Sequence, residues 1–264
     1  MLKQLVLEYK KAIYDRGILL VVVGIFLIHL LNLTDEIRLH QTYESGFVLY
    51  FWVHRHGLGA FSLMTFLFSG LSYGVQLCMK RSTGSWKYYL IRGRVFTYGM
   101  TKIVVTISTA MAACFAGYLF LWLYLTSKYG LFPDDPAYLW QMVENLPFAK
   151  LAVEKNGLFF CLNIIPEAML FSFLAMIALY SSLYTQNRYV VLASPLLIYY
   201  GWNYLTGSLG LPDIFCWPLK IQTGFQYWES SVYNTLFTVG YYSVGIAVLS
   251  IFFMKKLKEV MENA

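Results

Sequence analysis

Residues 158–183 read LFFCLNIIPEAMLFSFLAMIALYSSL, and their only charged member is Glu167. As a helix this stretch is roughly 39 Å long, at about 1.5 Å per residue. The hydrocarbon core of a bilayer is about 30 Å thick. No polar face recurs along it, so it reads as a membrane span and not as the half-buried helix of a soluble core. The whole chain agrees. Of its 264 residues 58% are hydrophobic and 13% charged, where a soluble domain carries about 25% charged residues. Aromatic residues reach 19%, and Trp and Tyr collect where bilayer meets water. A soluble enzyme, a disordered tail and a nucleic-acid-binding domain are excluded, despite the net charge of +6.

Working outward, five more apolar runs are long enough to be read as spans: Gly17–Leu33, Leu58–Met79, Val95–Leu125, Tyr189–Thr206 and Tyr233–Met254. The expectation is an all-α integral membrane protein with six transmembrane helices, forming a single domain over residues 1–264. Residues 1–15 mix Leu5, Val6, Tyr9 and Ile13 with Lys3, Lys10 and Lys11. That pattern predicts an amphipathic interfacial helix. Residues 207–232 contain the apolar but broken run Leu209–Pro218. It reads as a re-entrant or interfacial segment before the last helix, or as a surface loop with aromatic anchors. No small-residue cleavage site follows the first run, so that run is expected to be a retained span.

Charge sorts by side. With six spans, fourteen Lys and Arg fall with the termini and six fall opposite, while four acids fall with the termini and nine opposite. Positive loops stay cytoplasmic, so both termini are expected in the cytoplasm of a multi-pass plasma-membrane protein, and a bacterial origin is the expectation. The basic balance is then a topology signal.

Catalytic patterns are missing. The Gly70-Leu71-Ser72-Tyr73-Gly74 turn resembles a nucleophile turn only weakly, and no later span carries a His to serve it; the four are His29, His40, His54 and His56. No HExxH, paired-Asp or phosphate-loop pattern occurs, so no metal site and no nucleotide site is expected. Cys78, Cys114, Cys161 and Cys216 form no CxxC pair, and pairing of Cys161 with Cys216 stays open. Glu167, after Asn163 and Pro166, lies roughly 14 Å from the outer end of its span. An acid at that depth is costly and by default marks a pathway or an internal pair. A structural, water-reached carboxyl is the alternative. His29 is the titratable candidate partner in another span.

The link between the second and third spans, residues 80–94, reads KRSTGSWKYYLIRGR, with Lys102 beyond it. It resembles the corresponding link of ABC-2 type permeases, the membrane subunits of type-V-fold ABC exporters. In that resemblance Lys80 and Arg81 supply charge and Gly84 the turn. Tyr88, Tyr89 and Leu90 are the apolar anchors, Arg94 the base and Lys102 the lysine inside the next span. Ser82 and Thr83 stand where an acid is usual, and Gly93 where Pro is usual. The resemblance implies an ATP-driven exporter of an amphipathic or hydrophobic substrate, such as a peptide, an antibiotic or a lipid-like compound. It implies two copies of a separate ATPase subunit, carrying ATP and Mg, and a second permease copy or a sister permease. Trp86, Lys87, Tyr88, Tyr89, Leu90, Arg92 and Arg94 would then couple the chain to the ATPase, aromatic anchors dominating interface energy and cations setting register. Membrane lipids are the other expected partner, and contact of these cations with lipid headgroups is the competing reading. Without the resemblance, Glu167 points to a secondary transporter or channel; an intramembrane enzyme lacks its catalytic pairs.

Overall fold

The structure is a computed structural model that describes residues 2–39, 46, 65–84, 95–131, 140, 148–211, 215 and 228–262. Among the described residues the regular secondary structure is all helix. In chain order the helices are α1 (Leu2–Tyr14), α2 (Arg16–Leu39), α3 (Thr65–Ser72), α4 (Gln76–Ser82), α5 (Val95–Tyr129), α6 (Ala149–Glu154), α7 (Asn156–Ser181), α8 (Arg188–Ser208) and α9 (Ser231–Glu262).

Three of these, α5, α7 and α9, are by themselves long and apolar enough to cross a membrane, and α1 with α2, bent by 50° where they meet, makes a fourth if the pair is one span. The chain is therefore a helical membrane protein. Helices α5 and α9 run past their expected apolar cores, while α7 begins two residues before its expected span and also ends two residues before its expected end. In α5 the uncharged stretch lies between Lys102 and Lys128, about 38 Å of helix. Both lysines thus sit toward the ends of the crossing.

The other expected spans come out differently. The run 58–79 is described from residue 65, and there it is two short helices and not one span. A turn at Tyr73–Val75 separates them, closed by bonds from the Val75 amide to the Gly70 carbonyl (3.1 Å) and from the Gln76 amide to the Tyr73 carbonyl (3.1 Å). Close packing against α7 accompanies it. A Cβ on Gly74 would stand 2.9 Å from the Ala178 Cβ and 3.0 Å from the Ala175 carbonyl, and one on Gly70 3.1 Å from the Ala178 Cβ. Gly70 and Gly74 are four apart, so they let this segment lie against the small residues of α7, as GxxxG pairs do. Helix α8 has the expected length, but Tyr199, Tyr200, Trp202, Asn203 and Tyr204 lower its hydropathy, and it does not rank with the other three. The segment 207–232 lies largely outside the described residues.

Helix α7 is the axis of the bundle. Its apolar window is 72% buried, against 50% for α5 and 22% for α9. It packs on α3, α5, α8 and α9. One apolar cluster joins α2, α5 and α7 through Ile25, Cys114, Tyr118, Phe160, Ile164 and Phe171. A second joins α4, α5, α7 and α9 through Leu77, Tyr98, Met176, Leu179, Phe253 and Leu257. The hydroxyl of Ser172 donates to the Ala168 carbonyl of its own helix (2.8 Å) and also lies 3.2 Å from the Ile107 carbonyl of α5. Pro166 lies inside α7 without ending it.

Candidate functional site

Two groups of buried polar residues stand out, one at an end of the bundle and one near its middle.

The first is built on Lys102. Its side chain is fully buried, one of the largest such side chains in the protein. The ammonium donates to Glu8 Oε2 (2.5 Å) and to the Tyr73 hydroxyl (2.6 Å). It also lies 4.7 Å from the Tyr73 ring centroid and 5.5 Å from that of Tyr98. Glu8 comes from α1, Tyr73 from the α3–α4 turn and Lys102 from α5. Tyr73 also donates to Glu8. Lys80 of α4 reaches both Glu8 oxygens at 3.2 Å, and Lys11 approaches to 3.6 Å. Burial alone would raise the Glu8 pKa. The charges of Lys102 and Lys80 and the hydrogen bonds from Lys102 and Tyr73 outweigh it and hold the carboxyl at about 2.

Around this core α1 is fastened twice more. The Tyr9 hydroxyl is 2.6 Å from Ser108 Oγ on α5, and Gln76 donates to the Asp15 carboxylate at the α1–α2 bend. Ala12 and Tyr73 pack with Val105, Leu5, Tyr9 and Ile18. The helix expected over residues 1–15 is present as α1, and it is docked on the bundle through a buried acid. The sequence pattern of α1 hid this, because Glu8 looks like one more residue of a polar face.

The expected coupling residues begin at the foot of α4. Arg81 donates to the Ser182 carbonyl (2.6 Å), tying α4 to the α7–α8 turn. Gly84 is in the left-handed conformation, with φ +68°, and its amide is bonded to the Arg81 carbonyl (3.1 Å). Trp86, Lys87, Tyr88, Tyr89, Leu90, Arg92 and Arg94 lie outside the described residues.

The second group surrounds Glu167, 5% exposed and about 17 Å along α7. It is within electrostatic reach of Cys114 on α5 and of the buried Tyr242 on α9. His29 is 2% exposed. Its Nδ1 is 2.8 Å from the Ile25 carbonyl, and its ring meets Tyr118 edge-on at 5.1 Å. Cys114 and Tyr118 are one turn apart on α5, so Glu167 and His29 border neighbouring turns of the same face. Asn163 spends its amide on the Phe159 carbonyl of its own helix (2.9 Å).

Ser72, in the weak nucleophile turn, donates to the Ser69 carbonyl (2.8 Å) and is fully buried; this is a packing turn. Cys161 is a free thiol, and Cys216 lies outside the described residues. Among the described residues no group of three His, Cys, Asp or Glu could hold a metal ion. Comparison with protein-family models, with curated proteins and with solved structures gives no match.

Proposed function

We propose that the chain is the permease subunit of an ATP-driven ABC exporter of the ABC-2 type, with both termini in the cytoplasm of a bacterial plasma membrane. It would move an amphipathic or hydrophobic substrate, with ATP hydrolysed on Mg at two copies of a separate ATPase, and it would pair with a second permease. The observation that supports this reading is the bracing of Lys80 and Arg81, where the 80–94 link leaves α4. Its first residue, Lys80, is bound to Glu8 and through it to Lys102. Its second, Arg81, is bound to the α7–α8 turn. A push on a link held this way reaches α1, α5 and α7 together, as a coupling element requires, whereas a link that only met lipid headgroups would need no such footing.

The test is co-purification with an ATPase, followed by Tyr88→Ala/Tyr89→Ala. The paired change should remove stimulation of the ATPase while leaving the chain folded. If the purified chain alone carried substrate down a proton gradient, and Glu167→Gln stopped it, secondary transport would replace this reading. The burial of Glu167 within the apolar helix α7 is what keeps that second reading in play.

A further inference from the structure

A groove of about 680 Å³ runs between α2 and α5, a volume in the range of small-molecule sites, about 300–1,000 Å³. Val22, Val23 and Phe26 of α2 border it on one side, and Phe120, Leu123 and Tyr124 of α5 on the other, with Ser127 the last α5 residue along it. The Phe26 and Tyr124 rings meet edge-on at 5.6 Å and join the two walls. Val23, Phe120 and Leu123 are exposed, so the groove opens away from the bundle, on a face of two apolar helices.

Its polarity is one-ended. Apart from the hydroxyls of Tyr124 and Ser127, the side chains that border it are hydrocarbon. Next to Ser127 stands Lys128, an exposed residue whose ammonium lies 5.9 Å from the Tyr124 ring centroid and 5.0 Å from that of Tyr129. Tyr124 is thus both a wall of the groove and a platform for the cation. Such a contact orients a lysine and leaves its charge in place. Among the described residues no carboxylate forms an ion pair with Lys128. Lys128 also closes the uncharged stretch of α5, which puts its ammonium where hydrocarbon gives way to headgroups. An apolar furrow with a cation at that edge is complementary to a molecule with an apolar chain and a negative head. A second copy of the chain would have to bring an acid to the same depth.

We propose that this groove holds an anionic phospholipid of the leaflet at the Lys128 end of α5, with its phosphate on Lys128 and one acyl chain along Phe26, Phe120 and Leu123. The bilayer is already apolar, so the chain gains packing and not burial from water. The charge of Lys128 sets the selectivity. The proposal needs only a membrane and is independent of what the protein transports.

The test uses the full chain purified in a neutral detergent, with lipid retention and oligomeric state read by native mass spectrometry. Dioleoylphosphatidylglycerol, dioleoylglycerol or inorganic phosphate is added. Phosphatidylglycerol should be retained; dioleoylglycerol, which lacks the phosphate, and inorganic phosphate, which lacks the chain, should not. Loss of one lysine from a diffuse attraction weakens binding about fivefold, and that is the most expected for Lys150→Gln, an exposed lysine just before α7. Lys128→Gln should cost on the order of twentyfold, as loss of a hydrogen bond to a charged group does, and Lys128→Arg should retain binding. Val23→Trp, which fills the groove from its exposed edge, should remove retention, while Val244→Trp on the exposed side of α9 should not. Equal losses from Lys128→Gln and Lys150→Gln would overturn the phosphate contact, and wild-type retention by Val23→Trp would overturn the groove. Equal retention of dioleoylglycerol would overturn selection by charge. Loss of a dimer in Val23→Trp, with lipid retention unchanged, would give the groove to a second copy and overturn the proposal.

Discussion

Glu8→Gln removes the carboxylate that faces Lys11, Lys80 and Lys102 while keeping the shape of the side chain. Two routes give the size of the effect. Breaking a buried ion pair by removing one partner costs about 3–5 kcal/mol, because the other charge is left uncompensated. Independently, the Glu8 carboxyl falls from an ordinary 4.5 to about 2 on folding, and at about 1.4 kcal/mol per pH unit that difference is worth about 3 kcal/mol. The Glu8 side chain is only 7% exposed, so solvent screening takes little from this. The expected loss of melting temperature is roughly 10 °C. Thermal unfolding followed with a thiol-reactive dye suits the protein, since Cys78 and Cys114 are buried. The double change Glu8→Gln/Lys102→Met should recover most of the loss, because removing both charges of a buried pair is close to neutral. A loss under about 0.5 kcal/mol, the size of an ordinary surface change, would refute the reasoning. So would a double change whose loss is the sum of the two singles.

The remaining predictions are more local. Since the Glu8 pKa is lowered by folding, its contribution is complete above pH 4.5 and fades as pH falls from 4.5 toward 2; a pH series of melting temperatures on wild type and Glu8→Gln should converge in that window. Gly17→Ala places a Cβ 2.5 Å from the Leu71 carbonyl oxygen, backbone that cannot swing aside, and should cost about 1–3 kcal/mol; Gly201→Ala, with open space around it, should stay within about 0.5 kcal/mol by the same melting assay. Glu167→Gln should keep the fold, with the melting temperature within about 3 °C, and lower substrate movement in vesicles on the order of tenfold if the carboxyl borders the path; unchanged movement would make Glu167 structural.

Much of the fold was legible because its signal is strong. Three apolar runs, 95–125, 158–183 and 233–254, appear as α5, α7 and α9, with α5 and α9 extended and α7 shifted two residues toward the N-terminus. The ends moved because helix continues through polar residues such as Lys255 and Lys256, where hydropathy falls but backbone bonding does not. The break at Tyr73–Val75 was hidden because an apolar run says nothing of what packs against it. Gly70 and Gly74 carried the clue, as a close-approach pair facing Ala175 and Ala178. For the site, Lys102 was singled out by resemblance, and Glu167 by its isolation in an apolar stretch. Their surroundings were not legible. Glu8 meets Lys102 across 94 positions, and Tyr73 lay inside what read as an uninterrupted span. Pairing over such distances is set by how helices cross, which periodicity along one helix does not encode.

The most direct test of the central claim is the ATPase rate of the co-purified complex in lipid vesicles, measured with wild type and with Tyr88→Ala/Tyr89→Ala. The account predicts that an ATPase co-purifies, that substrate movement needs ATP, and that the paired change uncouples the two while both proteins remain folded and associated with the membrane. Substrate movement by the chain alone, without ATP or an ATPase, would contradict it.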